Sequence, residues 1–98
     1  MAITVNRSFD YIIVGAGAAG CVLANRLSLN PANSVLLLEA GAADSHWRLR
    51  MPMAAMDRLS YSKRFCWKNW SEPEANLHGR QIFVPSGKVI GGSSSING

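Results

Sequence analysis

"YIIVGAGAAG", Tyr11 to Gly20, is the stretch whose reading decides the fold. Tyr11 to Val14 is apolar throughout and rich in β-branched residues, as a strand buried on both faces of a parallel sheet would be. Glycines then break the strand at the spacing Gly15-x-Gly17-x-x-Gly20. Beyond them Val22, Leu23, Leu27 and the small Ala24 recur at helical spacing, which predicts a helix from Ala18 to about Leu29. "NPAN", Asn30 to Asn33, supplies the turn residues that end it. "SVLLLEA" then predicts a second buried strand at Val35–Leu38. Strand, helix and strand make one βαβ unit over residues 9–40.

Each glycine of that motif has a physical task. Gly15 permits the tight turn, Gly17 lets a pyrophosphate approach the backbone, and Gly20 lets the helix pack closely on the strand. Ala18 opens the helix, whose first turn offers unpaired N–H groups and a positive dipole end to an anion. Glu39 ends the second strand 19 residues past Gly20, where an acid can hydrogen-bond the ribose hydroxyls of an adenosine. Its charge disfavours a 2′-phosphorylated nucleotide. Strand, spacing, helix and acid agree on an adenine dinucleotide, FAD or NAD.

Outward from this unit the signal fades. Residues 41–80 show no defensible period and are expected to be irregular or short helical, with Met51, Met53 and Met56 as core filler. "QIFVP", Gln81 to Pro85, predicts a short strand. Residues 81–98 end in a second glycine-rich stretch, "GKVIGGSSSING", Gly87 to Gly98.

Composition bounds the alternatives. Ninety-eight residues allow one small domain, and 48% hydrophobic against 16% charged residues excludes a disordered chain. The net charge is +4, and basic residues such as Arg48, Arg50, Arg58, Lys63, Arg64, Lys68, Arg80 and Lys88 are spread out without a basic stripe, so nucleic acid is not an expected partner. The apolar stretch Tyr11 to Ala24 is interrupted by glycines and too short to span a bilayer, and no membrane association is indicated. Cys21 and Cys66 stand 45 residues apart without a CxxC pair, which suggests thiols and a cytoplasmic setting. His46 and His78, 32 residues apart and without acids at ligand spacing, are read as surface or packing residues, and no metal site is expected.

Together, "DYIIVGAGAAG", "VLLLEAG", "WKNWSEPE" and "HGRQIFVPSGKVIGGSSSING" resemble the glucose–methanol–choline (GMC) oxidoreductases, nearest to their choline dehydrogenase and alcohol dehydrogenase branch. The resemblance implies an α/β, Rossmann-like FAD-binding fold, present here as its N-terminal portion. It implies FAD as cofactor and a small-molecule alcohol as substrate, and it names no electron acceptor. It further implies that the second glycine stretch folds over the cofactor held by the first. Gly91 and Gly92 would then allow close approach, Ser93 and Ser94 would open a helix facing the cofactor, and Asn97 and Gly98 would lie beside the isoalloxazine. Ala40, next to Glu39, and the main chain of Val89 complete the implied contacts.

Departures from the family pattern matter too. Relatives that attach FAD covalently can carry histidine where this chain has Ile96, so noncovalent FAD is expected. Ser86 stands where arginine is common and Asn69 where an aromatic is common, which puts local packing in question. The family's proton-accepting histidine lies far downstream, so no catalytic residue is expected here, and the chain reads as an N-terminal piece inactive on its own. In the whole enzyme the resemblance implies hydride transfer from the carbinol carbon to flavin N5. Two other readings stay open: a GMC relative with structural FAD, such as a hydroxynitrile lyase, and a stand-alone nucleotide-binding module. Sequence beyond Gly98 would separate them.

Overall fold

The computed structural model describes residues 6–51 and 62–96. Met53 and Met56 lie outside them, as do Asn97 and Gly98.

The βαβ unit forms where the pattern predicts it. Strand β1, Tyr11–Val14, pairs in parallel with β2, Val35–Leu38, from Tyr11 opposite Val35 to Val14 opposite Leu38. Helix α1, Ala18–Ser28, connects them. The asparagines that end it act through their side chains: Asn30 Oδ1 accepts the Ala32 N–H at 3.0 Å, and Asn33 Nδ2 donates to the Leu27 carbonyl at 3.0 Å. At the start of the unit, Asp10 Oδ2 accepts both the N–H and the hydroxyl of Ser34, clamping the two strand entrances together.

Gly20 is the one glycine of this unit on which packing insists. A Cβ there would collide with the Gly15 carbonyl, so the helix lies against the strand turn as expected.

Burial of the two strands is the first correction. Both were expected to be covered on two faces, yet Val14 is 83% exposed and Ile12 58%. Among the described residues, no further strand pairs with β1 or β2 and no second helix layer covers them.

The second correction concerns residues 41–80. They contain 3-10 turns at Trp47–Arg50 and Ala75–Leu77, but also a strand, β3, Cys66–Trp70. This strand pairs antiparallel with β4, Phe83–Gly87, two residues later than the expected Gln81–Pro85. Pro85 sits inside β4, a position open to proline because a two-stranded ribbon leaves one side of each strand without a ladder partner. Asn69 and Ser86, the two departures from the family pattern, meet across this ribbon: Asn69 Nδ2 donates to Ser86 Oγ at 3.2 Å. Two polar side chains that are singly out of pattern thus form one contact.

The core does not lie under the parallel pair. Phe65, Cys66, Val89 and Ile96 form it, with Leu49 packed alongside. Burial pushes the Cys66 thiol above its ordinary pKa, so it stays protonated and packs as a small apolar group. Met51 is exposed rather than core filler. His46 packs against Phe65 with ring centres 5.2 Å apart, while His78 is exposed in a left-handed turn conformation.

Candidate functional site

The first loop begins where β1 ends. The Gly15 N–H donates to the Leu38 carbonyl at 2.7 Å, and Gly15 turns the chain at φ +95° into α1. Gly17 caps the helix without any side-chain cap, so the first turn keeps its N–H groups clear of side-chain oxygens. A Cβ built on Gly17 would meet nothing within 4 Å. The space over the helix start is open.

The second loop closes one side of that space. Gly91 and Gly92 adopt φ of +91° and +64°, and the chain then makes a single 3-10 turn at Gly92–Ser95 where a helix from Ser93 was expected. The Gly91 N–H donates to the Ala16 carbonyl at 2.7 Å. A Cβ on Gly92 would stand 3.0 Å from Gly17 Cα. The two glycine loops therefore touch each other directly. The Gly91 and Gly92 N–H groups are committed to the carbonyls of Ala16 and Val89. Ser93 Oγ is likewise engaged, accepting the Gly87 N–H at 3.0 Å.

Glu39 ties these pieces together. Its Oε2 accepts the Ala16 N–H at 2.7 Å and its Oε1 accepts the Gly41 N–H at 2.9 Å. Those two backbone donors, Ala16 first, hold the carboxyl below its ordinary value, so it is ionised at neutral pH. A carboxylate has about four lone-pair directions, so Glu39 keeps accepting capacity for a ligand's hydroxyl.

A cleft of about 500 Å³ opens between the βαβ unit and the β3–β4 ribbon, lined by Val14, Gly15, Gly17, Leu38, Glu39, Ala40, Trp67 and Gly87. Its floor is the bare helix start and its rim the ionised Glu39, a combination that fits a dinucleotide's diphosphate and ribose. Of the residues singled out in the sequence, Gly15, Gly17, Glu39 and Ala40 line this cleft. Ala18 is exposed at the helix start, and Gly91, Gly92 and Ser93 approach from the second loop. Val89 instead turns its side chain into the core and is wholly buried.

Sequence reasoning missed Trp67. It reaches the cleft from β3, and the Lys88 ammonium lies 4.3 Å from its ring centre. Only the pairing of β3 with β4 brings it there, and no local pattern signals that pairing. Among the described residues, no group of three or more His, Cys, Asp and Glu is placed to hold a metal ion, and no helix is long and apolar enough to cross a membrane.

Comparison with known proteins sharpens this picture. Residues 9–98 match the family described as GMC oxidoreductase. Oxygen-dependent choline dehydrogenase of Vibrio vulnificus is 53% identical over 97 residues, which are 96% of this chain and 17% of that protein. Alcohol dehydrogenase [acceptor] of Pseudomonas putida is 53% identical over 89 residues, 91% of this chain and 16% of that protein. Among solved structures, pyridoxine 4-oxidase from Mesorbium loti superposes with a TM-score of 0.81 at 37% identity, covering 92% of this chain and 17% of the other. The chain thus spans about 17% of the length of the relatives it matches.

Proposed function

The chain belongs to the GMC oxidoreductase family, whose cofactor is FAD, and from that premise we propose that it forms the FAD-binding part of an enzyme that oxidises CH–OH groups. One observation carries the reading: the second glycine loop is docked on the first, beside the open helix start and the ionised Glu39. When bound, FAD supplies the redox chemistry, accepting the electrons of the alcohol.

The chain's own residues bind and orient. Gly17 and the start of α1 receive the diphosphate, and Glu39 receives the ribose while bracing the loop at Ala16. Ala18, Ala40 and Ser93 extend the contacts along the cofactor, with the main chain of Val89 behind them. The base that takes the alcohol proton belongs to the region that the relatives possess beyond this span. A choline-like or aliphatic alcohol is the favoured substrate class, supported by the names of the most similar relatives. Nucleic acid and a membrane have no part in the reading. Two cysteine thiols support a reducing, cytoplasmic setting.

FAD is held noncovalently. Ile96, at the position where some relatives carry the linking histidine, is 8% exposed and packs in the core with Phe65 and Val89. The test is to produce the whole enzyme, assay primary alcohols and choline with an artificial acceptor, and precipitate it with acid. Alcohol-dependent turnover and complete release of flavin into the supernatant are expected. Bound flavin without turnover on any alcohol would favour the hydroxynitrile lyase type of relative, and flavin retained in the pellet would overturn the noncovalent assignment.

A further inference from the structure

Neither Gly41 nor Gly87 is among the contacts that the family resemblance implies, although Gly87 borders the cleft, and both are places where backbone meets backbone. A Cβ on Gly41 would collide with the Lys88 carbonyl and with the Val89 nitrogen. One on Gly87 would collide with the Gly92 carbonyl group and stand 2.5 Å from the Ser93 nitrogen. The obstructing atoms are main chain, so no rotamer change relieves either clash; the second loop itself would have to move.

Hydrogen bonds run through the same contact. Ala42 and Val89 form a parallel bridge, and the Ile90 N–H donates to the Ala42 carbonyl at 3.1 Å. The Lys88 N–H donates to the Phe65 carbonyl at 2.7 Å, and the Gly91 N–H reaches Ala16 at 2.7 Å. Gly41 is also the second donor to Glu39. The segment from Lys88 to Ser93 is thereby fastened on three sides: to the turn after β2, to the first glycine loop and to Phe65 just before β3.

We propose that Gly41 and Gly87 are positioning residues for the cofactor: by lacking side chains they let the second glycine loop dock on the first, so that one rigid cradle exists before FAD arrives. The inference rests on the FAD reading above. Its physical content is preorganisation. A loop already docked loses little conformational freedom when the ligand binds, and affinity rises accordingly. Gly17 acts differently, since the space beside it belongs to the ligand.

The experiment compares Gly41→Ala, Gly87→Ala and Gly79→Ala in the whole enzyme. Gly79 has φ +73° and open space around it, in the link between β3 and β4, so it controls for replacing a left-handed glycine away from the cradle. Three experiments are run: FAD titration after reconstitution of the apoprotein, hydrogen exchange at the Gly91 amide in the apoprotein, and spectroelectrochemistry, which reads the flavin visible spectrum with its midpoint potential. The cradle variants should bind FAD about tenfold or more weakly, exchange the Gly91 amide at least about tenfold faster and shift the flavin spectrum and potential. Gly79→Ala should leave every reading unchanged.

Wild-type FAD affinity and potential in both cradle variants would overturn the proposal. So would loss of FAD with the Gly91 amide still protected. Failure of both variants to fold would also overturn it, by making the two glycines core residues. If the unaltered enzyme takes up no FAD, the proposed function fails instead, and Gly91 exchange still decides whether these glycines dock the loop.

Discussion

The two glycine loops use the same residue for opposite purposes. In the first, Gly15 and Gly17 border open space, with nothing within 4 Å of where a Cβ would stand. In the second region, Gly87 and Gly92 press against other main chain, as does Gly41, which receives it. One set of glycines leaves room for a ligand; the other brings two parts of the protein together. A glycine motif read from sequence does not say which. The difference lies in what stands opposite, and that is set by tertiary contacts such as the Gly91 N–H to the Ala16 carbonyl.

The sharpest way to break this comparison is Gly17→Val. A Cβ at this position meets no protein atom within 4 Å, and the isopropyl group would fill volume assigned to the diphosphate, so the whole enzyme should fold, keep its Gly91 amide protected and purify without flavin. Flavin-to-protein absorbance after gel filtration checks it. A full complement of flavin would mean that the open space is not the cofactor's.

Glu39 stands between the two loops and should give the next largest effect. Glu39→Ala leaves the Ala16 and Gly41 N–H groups without their acceptor, at a cost of about 1 kcal/mol each where burial is partial. FAD affinity should fall about tenfold or somewhat more, read by titration of the apoprotein. The pH dependence has a definite sign. The folded carboxyl lies below its ordinary value of 4.5, so its contribution is fully present above about pH 4.5 and is lost as pH falls through the lower folded value. Acid-induced FAD release in that window should weaken in Glu39→Gln. An identical acid profile would remove Glu39 from the account.

Asn69→Ala should have the smallest effect. The Asn69–Ser86 contact is exposed, so its loss should cost within about 0.5 kcal/mol and leave FAD affinity unchanged. A thermal melt with FAD titration checks it; a large loss of affinity would show that the Asn69–Ser86 contact itself braces the cradle.

How much of this was legible follows from where the information sits. β1, α1 and β2 announce themselves because a local pattern carries each: an apolar run, a 3.6-residue stripe, and asparagines that cap the helix end through their own side chains. β3 was not legible. "CWKNW" lacks clean alternation, and its partner lies beyond a link containing a 3-10 turn, with Pro85 reading as a strand's end rather than its middle. Trp67 was missed for the same reason. The cofactor motif itself was visible as Gly15, Gly17, Gly20 and Glu39, but the second role of Glu39, as acceptor for Ala16 and Gly41, depends on two backbone donors that no side-chain pattern encodes. Burial of the strands was overestimated because an apolar run reports what a strand is suited to, not what covers it.

The central claim is that both loops hold one FAD. The measurement closest to it is hydrogen exchange of the whole apoenzyme before and after addition of FAD, with NAD as the comparison ligand. The account predicts that FAD raises protection at Gly17 to Gly20 and at Ser93 to Ile96 together, at the same ligand concentration, and that NAD does neither. Protection confined to the first loop, or produced equally by NAD, would contradict it.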